Sequence, residues 1–213
     1  LDIALNAILA FQPSNVTTQP STSVEATLPE SETKINIYAG TRENVELSNF
    51  AERPFKFIVQ PIVSKIYGEK SFDSVEQAYQ WHKGLFSEAP AQFGGSDGGS
   101  KTVRLMKQIK ETKNGAEIKK LGQQFNLIKS KQWDSFSSVI MKDLIKESFK
   151  QNPNALIKLI STGNATLTHT QDKSKWGIEF PKLLMEVRNE LKTTQPSTNP
   201  NQDDINNLPN INP

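Results

Sequence analysis

The apolar residues of this chain change period once, near residue 72, and that change constrains the fold more than any other feature. Before it, INIYAG (35–40) and FKFIVQPIVSKIYG (55–68) alternate or run together in β-branched and aromatic residues, as strands do. Pro61 cannot donate to a ladder, so the second stretch is an edge strand or two short pieces. After residue 72 the spacing is helical. Val75, Ala78, His82 and Leu85 share one face of a helix that Asp73 or Ser74 would cap. Residues 101–111 and 115–125 predict two short helices. Residues 133–150 predict the longest, with Phe136, Ile140, Leu144 and Ile145 at core spacing and Pro153 just beyond its end. NALIKLIST (154–162) and FPKLLMEVRNELK (180–192) predict two more, the second opened by Pro181 in its first turn. Strands first and helices afterwards give an α+β fold, a helix-dominated single domain with a small N-terminal sheet. No βαβ alternation supports a doubly wound sheet.

The flanks differ in kind. Residues 12–34 are rich in Ser, Thr and Pro and lack an apolar period, and residues 193–213 add Asn to the same mixture. Such segments cannot bury enough surface to order themselves. The expected organisation is a flexible segment over 1–34, a folded unit over 35–192 and a disordered linker over 193–213. SEAPAQFGGSDGGS (87–100) reads as a mobile loop. A chain that begins with Leu reads as part of a longer polypeptide.

Charge follows the same division. Residues 1–34 carry Asp2, Glu25, Glu30 and Glu32 against Lys34, and residues 193–213 carry Asp203 and Asp204. The folded unit therefore holds 24 Lys/Arg against 17 Asp/Glu, a mild excess that favours a phosphate-bearing ligand without requiring one. Cysteine is absent, which removes disulfides, Cys-ligated zinc and a Cys nucleophile, and suits a reducing, cytoplasmic location. No run approaches the ~18 apolar residues of a membrane span. LDIALNAILAF lacks a basic flank and contains Asp2, unlike a signal peptide.

The stretch SFDSVEQAYQWHKGLF (71–86) raises the functional question. Glu76 stands where a capping box beginning at Asp73 would place its carboxylate. A carboxylate at a helix N-terminus is also positioned and kept ionised by the dipole, as a reaction through a ribosyl cation would need. Lys83 lies two turns on along the same face, about 10 Å away, with Tyr79 and Gln80 between them. Such a polar row looks at water or lines a cleft, and spacing does not choose. A desolvated lysine in a cleft can act as a Schiff-base nucleophile. Core packing is the default use of a tryptophan, but Trp133 starts a helix and Trp176 sits in a polar loop, positions that also suit a surface or cleft where indoles stack on bases. His82 and His169 have no carboxylate at metal-ligand spacing, so no metal is expected. GGSDGG lacks the Lys-Ser/Thr of a phosphate loop, and neither GxSxG nor GxGxxG occurs.

LSNF (47–50), SVEQAYQWHK (74–83), IKKLGQQ (118–124), Trp133-Asp134, QNP (151–153), STGN (161–164), Trp176-Gly177 and LLMEVRNEL (183–191) follow one another in an order that resembles the NADAR, or YbiA-like, family. The resemblance spans about residues 37–191. It implies a small helix-rich α+β fold and an N-glycosidase acting on ribose. Known members cleave phosphoribosylated riboflavin intermediates or remove ADP-ribose from guanine bases, the latter with a glutamate and a Schiff-base lysine. By motif match the glutamate is Glu76 and the lysine Lys83, with Lys119 as the second candidate. Ser48, Asn49, Tyr79, Gln80, Lys119, Trp133, Asp172 and Trp176 would bind substrate. The implied partner is an ADP-ribose-containing small molecule or ADP-ribosylated nucleic acid, with no cofactor and no membrane. A domain between flexible linkers suits phage or mobile-element defence and favours ADP-ribosylated guanine as substrate. The chain departs from the family at Asn164, where an aspartate is usual, at His169, where a glutamate is usual, and in the spacing from Asp172 to Trp176. The G-x-N-x-LG segment before the last helix is missing. The lost carboxylate at 164 keeps open a non-catalytic module that binds NAD or ADP-ribose.

Overall fold

The computed structural model describes residues 33–38, 40, 44–59, 68–87 and 101–193. The expected flexible ends, apart from residues 33, 34 and 193, lie outside the described residues, as do the stretch around Pro61 and the glycine-rich loop. Strand β1 (Lys34–Asn36) precedes a 3-10 turn at Val45–Leu47, then β2 (Phe55–Val59) and β3 (Gly68–Phe72). Helices α1 (Val75–Gly84), α2 (Lys101–Glu111), α3 (Gly115–Gln123), α4 (Ser130–Lys150) and α5 (Pro153–Ser161) follow. Strand β4 (Thr166–Thr168) and helix α6 (Trp176–Thr193) complete the unit. The expected helix-dominated α+β architecture forms. Among the described residues, no helix is long and apolar enough to cross a membrane.

The strands form two separate pairs. β2 and β3 are antiparallel, with Phe55 opposite Phe72. β3, GEKSF, escapes the apolar pattern because Phe72 is its one buried residue. β1 runs parallel to β4, with Ile35 opposite Leu167. The Asn36 side chain ties this pair to the turn that follows: its oxygen accepts from Thr170 N and Thr170 Oγ1, and its nitrogen donates to Gln171 Oε1 at 3.0 Å.

Helix α1 is the centre of the molecule. It packs against α2, α3 and α4, and nine of its ten residues are buried. Its polar side chains therefore need partners inside the protein. Ser74 is the N-cap, its hydroxyl accepting from Gln77 N, while Gln77 Oε1 accepts from Asp73 N at 2.8 Å. Of the two expected caps Ser74 is the one used, and Gln77 rather than Glu76 reaches back to the Asp73 N–H, so the Asp73–Glu76 capping box does not form. Gln77 Nε2 donates to the carbonyls of Ile109, Lys110 and Thr112, closing the C-terminal end of α2. His82 lies among Phe57, Phe72 and Trp81 with its Nδ1 2.7 Å from Ala78 O. Burial pushes its pKa down to about 4, so the ring is neutral at pH 7.

Two helices start earlier than the sequence suggests. α6 begins at Trp176, so Pro181 lies inside it and cannot donate to the Gly177 carbonyl. α4 begins at Ser130, which turns Trp133 inward in its first turns.

Candidate active site

Glu76 is 3 % exposed and is held through both carboxylate oxygens. Asn49 Nδ2 donates to Oε2 at 2.7 Å and Gln80 Nε2 donates to Oε1 at 2.9 Å. The two amides reach it by different routes. Gln80 is one turn along α1, whereas Asn49 follows the 3-10 turn, with Ser48 Oγ beside its Oδ1 at 3.4 Å. Burial raises the Glu76 pKa above its ordinary value, against the pull of Gln80, Lys119, Asn49 and Lys83. Desolvation thus works against the dipole expected to keep Glu76 ionised. A carboxyl raised in this way can take and return a proton.

The opposite wall comes from α3 and the turn between β4 and α6. Lys119 Nζ lies 3.5 Å from Asp172 Oδ2, and His169 Nε2 lies 3.9 Å from the same oxygen. The His169 Nδ1 hydrogen bonds to Ile37 O. Burial alone would raise Asp172, but hydrogen bonds from Ser174, with Lys119 and His169, hold it below the usual carboxylate range. Gly177 sets the position of this turn: a β-carbon there would stand 2.0 Å from the Asp172 carbonyl oxygen. Tyr79 and Trp176 form an aromatic corner, ring centroids 5.2 Å apart and edge to face. Burial, then the neighbouring Glu76, raises the Tyr79 phenol above its ordinary value, so it stays protonated.

These walls enclose about 380 Å³, within the range of small-molecule sites. Ser48, Asn49, Glu76, Tyr79, Gln80, Lys119, Asp172 and Trp176 all line it. Trp133 does not. It is buried behind Tyr79 and Phe86, at 5.0 and 5.3 Å between ring centroids, and supports the corner from within the core. Lys83 is half-buried and outside the lining. Burial pushes its ammonium pKa down, against the pull of Glu76. Of the departures from the family pattern, His169 and Asp172 line the cavity, but Asn164 is exposed in the turn after α5 and does not. Tyr38, Phe50, Gln171, Lys173 and Phe180 also line it and were not anticipated. Tyr38 is there because β1 pairs with β4, which no local pattern shows.

A family model of the NADAR domain matches residues 37–192. The chain belongs to the NADAR family. The NADAR fold is seen again in the NMR structure of the E. coli protein YbiA, at 21 % identity and a TM-score of 0.55 over 80 % of this chain and 93 % of that one. No curated protein sequence matches the chain. Within this NADAR domain, the segments carrying LSNF, SVE, LG and WG meet at one cavity.

Proposed function

We propose that this NADAR domain is an N-glycosidase that cleaves the bond between a base or amine and a ribose carrying phosphate or ADP, with ADP-ribosylated guanine as its substrate. The observation that supports this reading is Glu76, a buried carboxyl gripped by two amides and facing a cavity. In hydrolysis the C1′–N bond breaks, water oxygen bonds to C1′, and the leaving base gains a proton. Glu76 takes the proton from water while C1′ carries positive charge. In the alternative covalent route, an amine bonds to C1′ as the ring oxygen leaves as a hydroxyl, the C1′–N bond to the base then breaks with a proton passing to the base, and water hydrolyses the resulting iminium to free sugar and amine. Lys119 is the amine we assign to that role, because it lines the cavity. Lys83 acts on Glu76 from outside the lining. Trp176 offers a face for a base, and Lys119 and Lys173 offer charge to phosphates.

The binding-module alternative rested on Asn164, which lies away from the cavity, so no observation favours it. Incubation of the domain with an ADP-ribosylated guanosine oligonucleotide tests the reading. Released ADP-ribose is expected from the wild type, with binding kept and release lost in Glu76→Gln. Binding without release in the wild type would leave a recognition module. Steeply salt-dependent binding with no competition by free ADP-ribose would leave a nucleic-acid-binding domain.

A further inference from the structure

The Gln80 amide has a fixed orientation. Gln80 presents its nitrogen to Glu76 Oε1 at 2.9 Å and turns its oxygen away. That oxygen is buried and has no hydrogen-bond partner among the described residues, an arrangement that ordinarily costs stability. It points to α3 at Gly122. A β-carbon there would lie 1.9 Å from Gln80 Oε1, 2.5 Å from Cδ and 3.0 Å from Cγ. Gly122 sits within a regular helix, where glycine is less favourable than alanine by about 1 kcal/mol. The space it leaves open is occupied by the amide.

We propose that Gly122 is a positioning residue for Glu76 that acts through Gln80: the missing side chain on α3 admits the Gln80 amide, and the amide holds Glu76 Oε1. The three nearest atoms that a methyl group at 122 would meet all belong to one flexible side chain. The amide would therefore move before the helix did, and its movement breaks the bond to Glu76. The same helix carries Lys119 one turn earlier, whose charge also reaches Glu76. One helix thus presents both a cation and, indirectly, a hydrogen-bond donor to the carboxyl. The catalytic consequence rests on the glycosidase reading above. The geometric claim is readable in the protein without substrate.

The experiment is a ¹³C NMR titration of the Glu76 carboxyl in the full chain, assigned with Glu76→Gln. Gln80 and Lys119 pull the midpoint down, so losing the Gln80 bond moves it up. Gly122→Ala is expected to raise the midpoint by about one pH unit, because one unit corresponds to a modest charge-assisted hydrogen bond. Gln80→Ala, which makes room for the methyl, should raise it equally, and the double variant should match Gln80→Ala alone rather than sum the two. Ile118→Val, a core change on the same helix, should lower Tm and leave the midpoint in place. Turnover, where it is measured, should show kcat falling with KM unchanged in Gly122→Ala. The proposal is overturned if Gly122→Ala leaves the midpoint unmoved, if the shifts add, or if Gly122→Ala fails to fold both with and without Gln80→Ala. If the coupled shifts appear but the wild type cleaves no glycoside, the glycosidase reading falls and the positioning role stands.

Discussion

Asn49 and Glu76 are joined twice: the Asn49 side chain donates to Glu76 Oε2 at 2.7 Å, and the Glu76 backbone N–H donates to the Asn49 carbonyl at 2.9 Å. The second bond survives any change of side chain at 49, so the start of α1 should stay in place in Asn49→Ala. Loss of the first bond raises the Glu76 pKa. The acidic limb of the kcat profile should move up by about one pH unit. Asn49→Asp should be worse, since a second carboxylate beside the first disfavours its ionisation. Steady-state kinetics across pH 5–8 checks both.

Glu76→Gln separates chemistry from stability. Turnover should fall by about 10²–10⁴-fold, the range for a positioned acid–base group. Stability has its own signature. The folded pKa of Glu76 is raised by burial, so the native state holds a proton that the unfolded chain has released. Wild-type stability is therefore fullest below the ordinary glutamate value and declines as pH rises through the folded value. Urea unfolding at a series of pH values should show that decline in the wild type and not in Glu76→Gln.

Borohydride reduction during turnover decides between the lysines. An adduct should form in the wild type, persist in Lys83→Ala and disappear in Lys119→Ala. Mass spectrometry of the trapped protein reads the site directly. An adduct on Lys83 would reverse the assignment.

His82 supplies the opposite pH dependence. Its folded pKa is lowered from 6.5 to about 4, so the native state holds fewer protons than the unfolded chain between those values. Its contribution is complete above the unfolded value and is lost as pH falls through the folded one, amounting to roughly 3 kcal/mol. His82→Phe, among the rings of Phe57, Phe72 and Trp81, should resist acid unfolding at pH 4–5 better than the wild type. Comparing each variant with the wild type separates the His82 and Glu76 effects.

Gly177→Ala should act on binding. The new methyl would displace the Asp172 turn, where its carbon would stand 2.0 Å from a backbone oxygen that cannot swing aside as a side chain can. KM should rise more than kcat falls, and calorimetry should show weaker binding of free ADP-ribose with a Tm a few degrees lower.

What could be read from the chain in advance follows the reach of each signal. The helical period placed Glu76, Tyr79 and Gln80 on one face of α1, and the fold kept them together. It also placed Lys83 there, because along a single helix two turns look like adjacency. What brings Lys119 to Glu76 is the packing of α3 on α1 at Gly122, a third dimension that spacing does not encode. Asp73 and Ser74 both cap well and spacing left the choice between them open; the bond from Gln77 N to the Ser74 hydroxyl, with Gln77 turned onto the carbonyls of Ile109, Lys110 and Thr112, decides for Ser74. The β1–β4 pair joins segments 132 residues apart. Three-residue strands that far apart leave no local pattern.

The turn from His169 to Asp172 and the start of α6 belong to the last part of the folded unit, yet they form the wall facing Glu76. During synthesis, Glu76, Asn49 and Gln80 leave the ribosome long before Asp172 and Trp176 do. A nascent chain therefore carries Glu76 and its two amide partners while the groove around them is still open. Enclosure of the cavity is the final property the growing polypeptide acquires, and a chain that stalls before Trp176 would hold the Glu76 carboxyl without the wall that faces it.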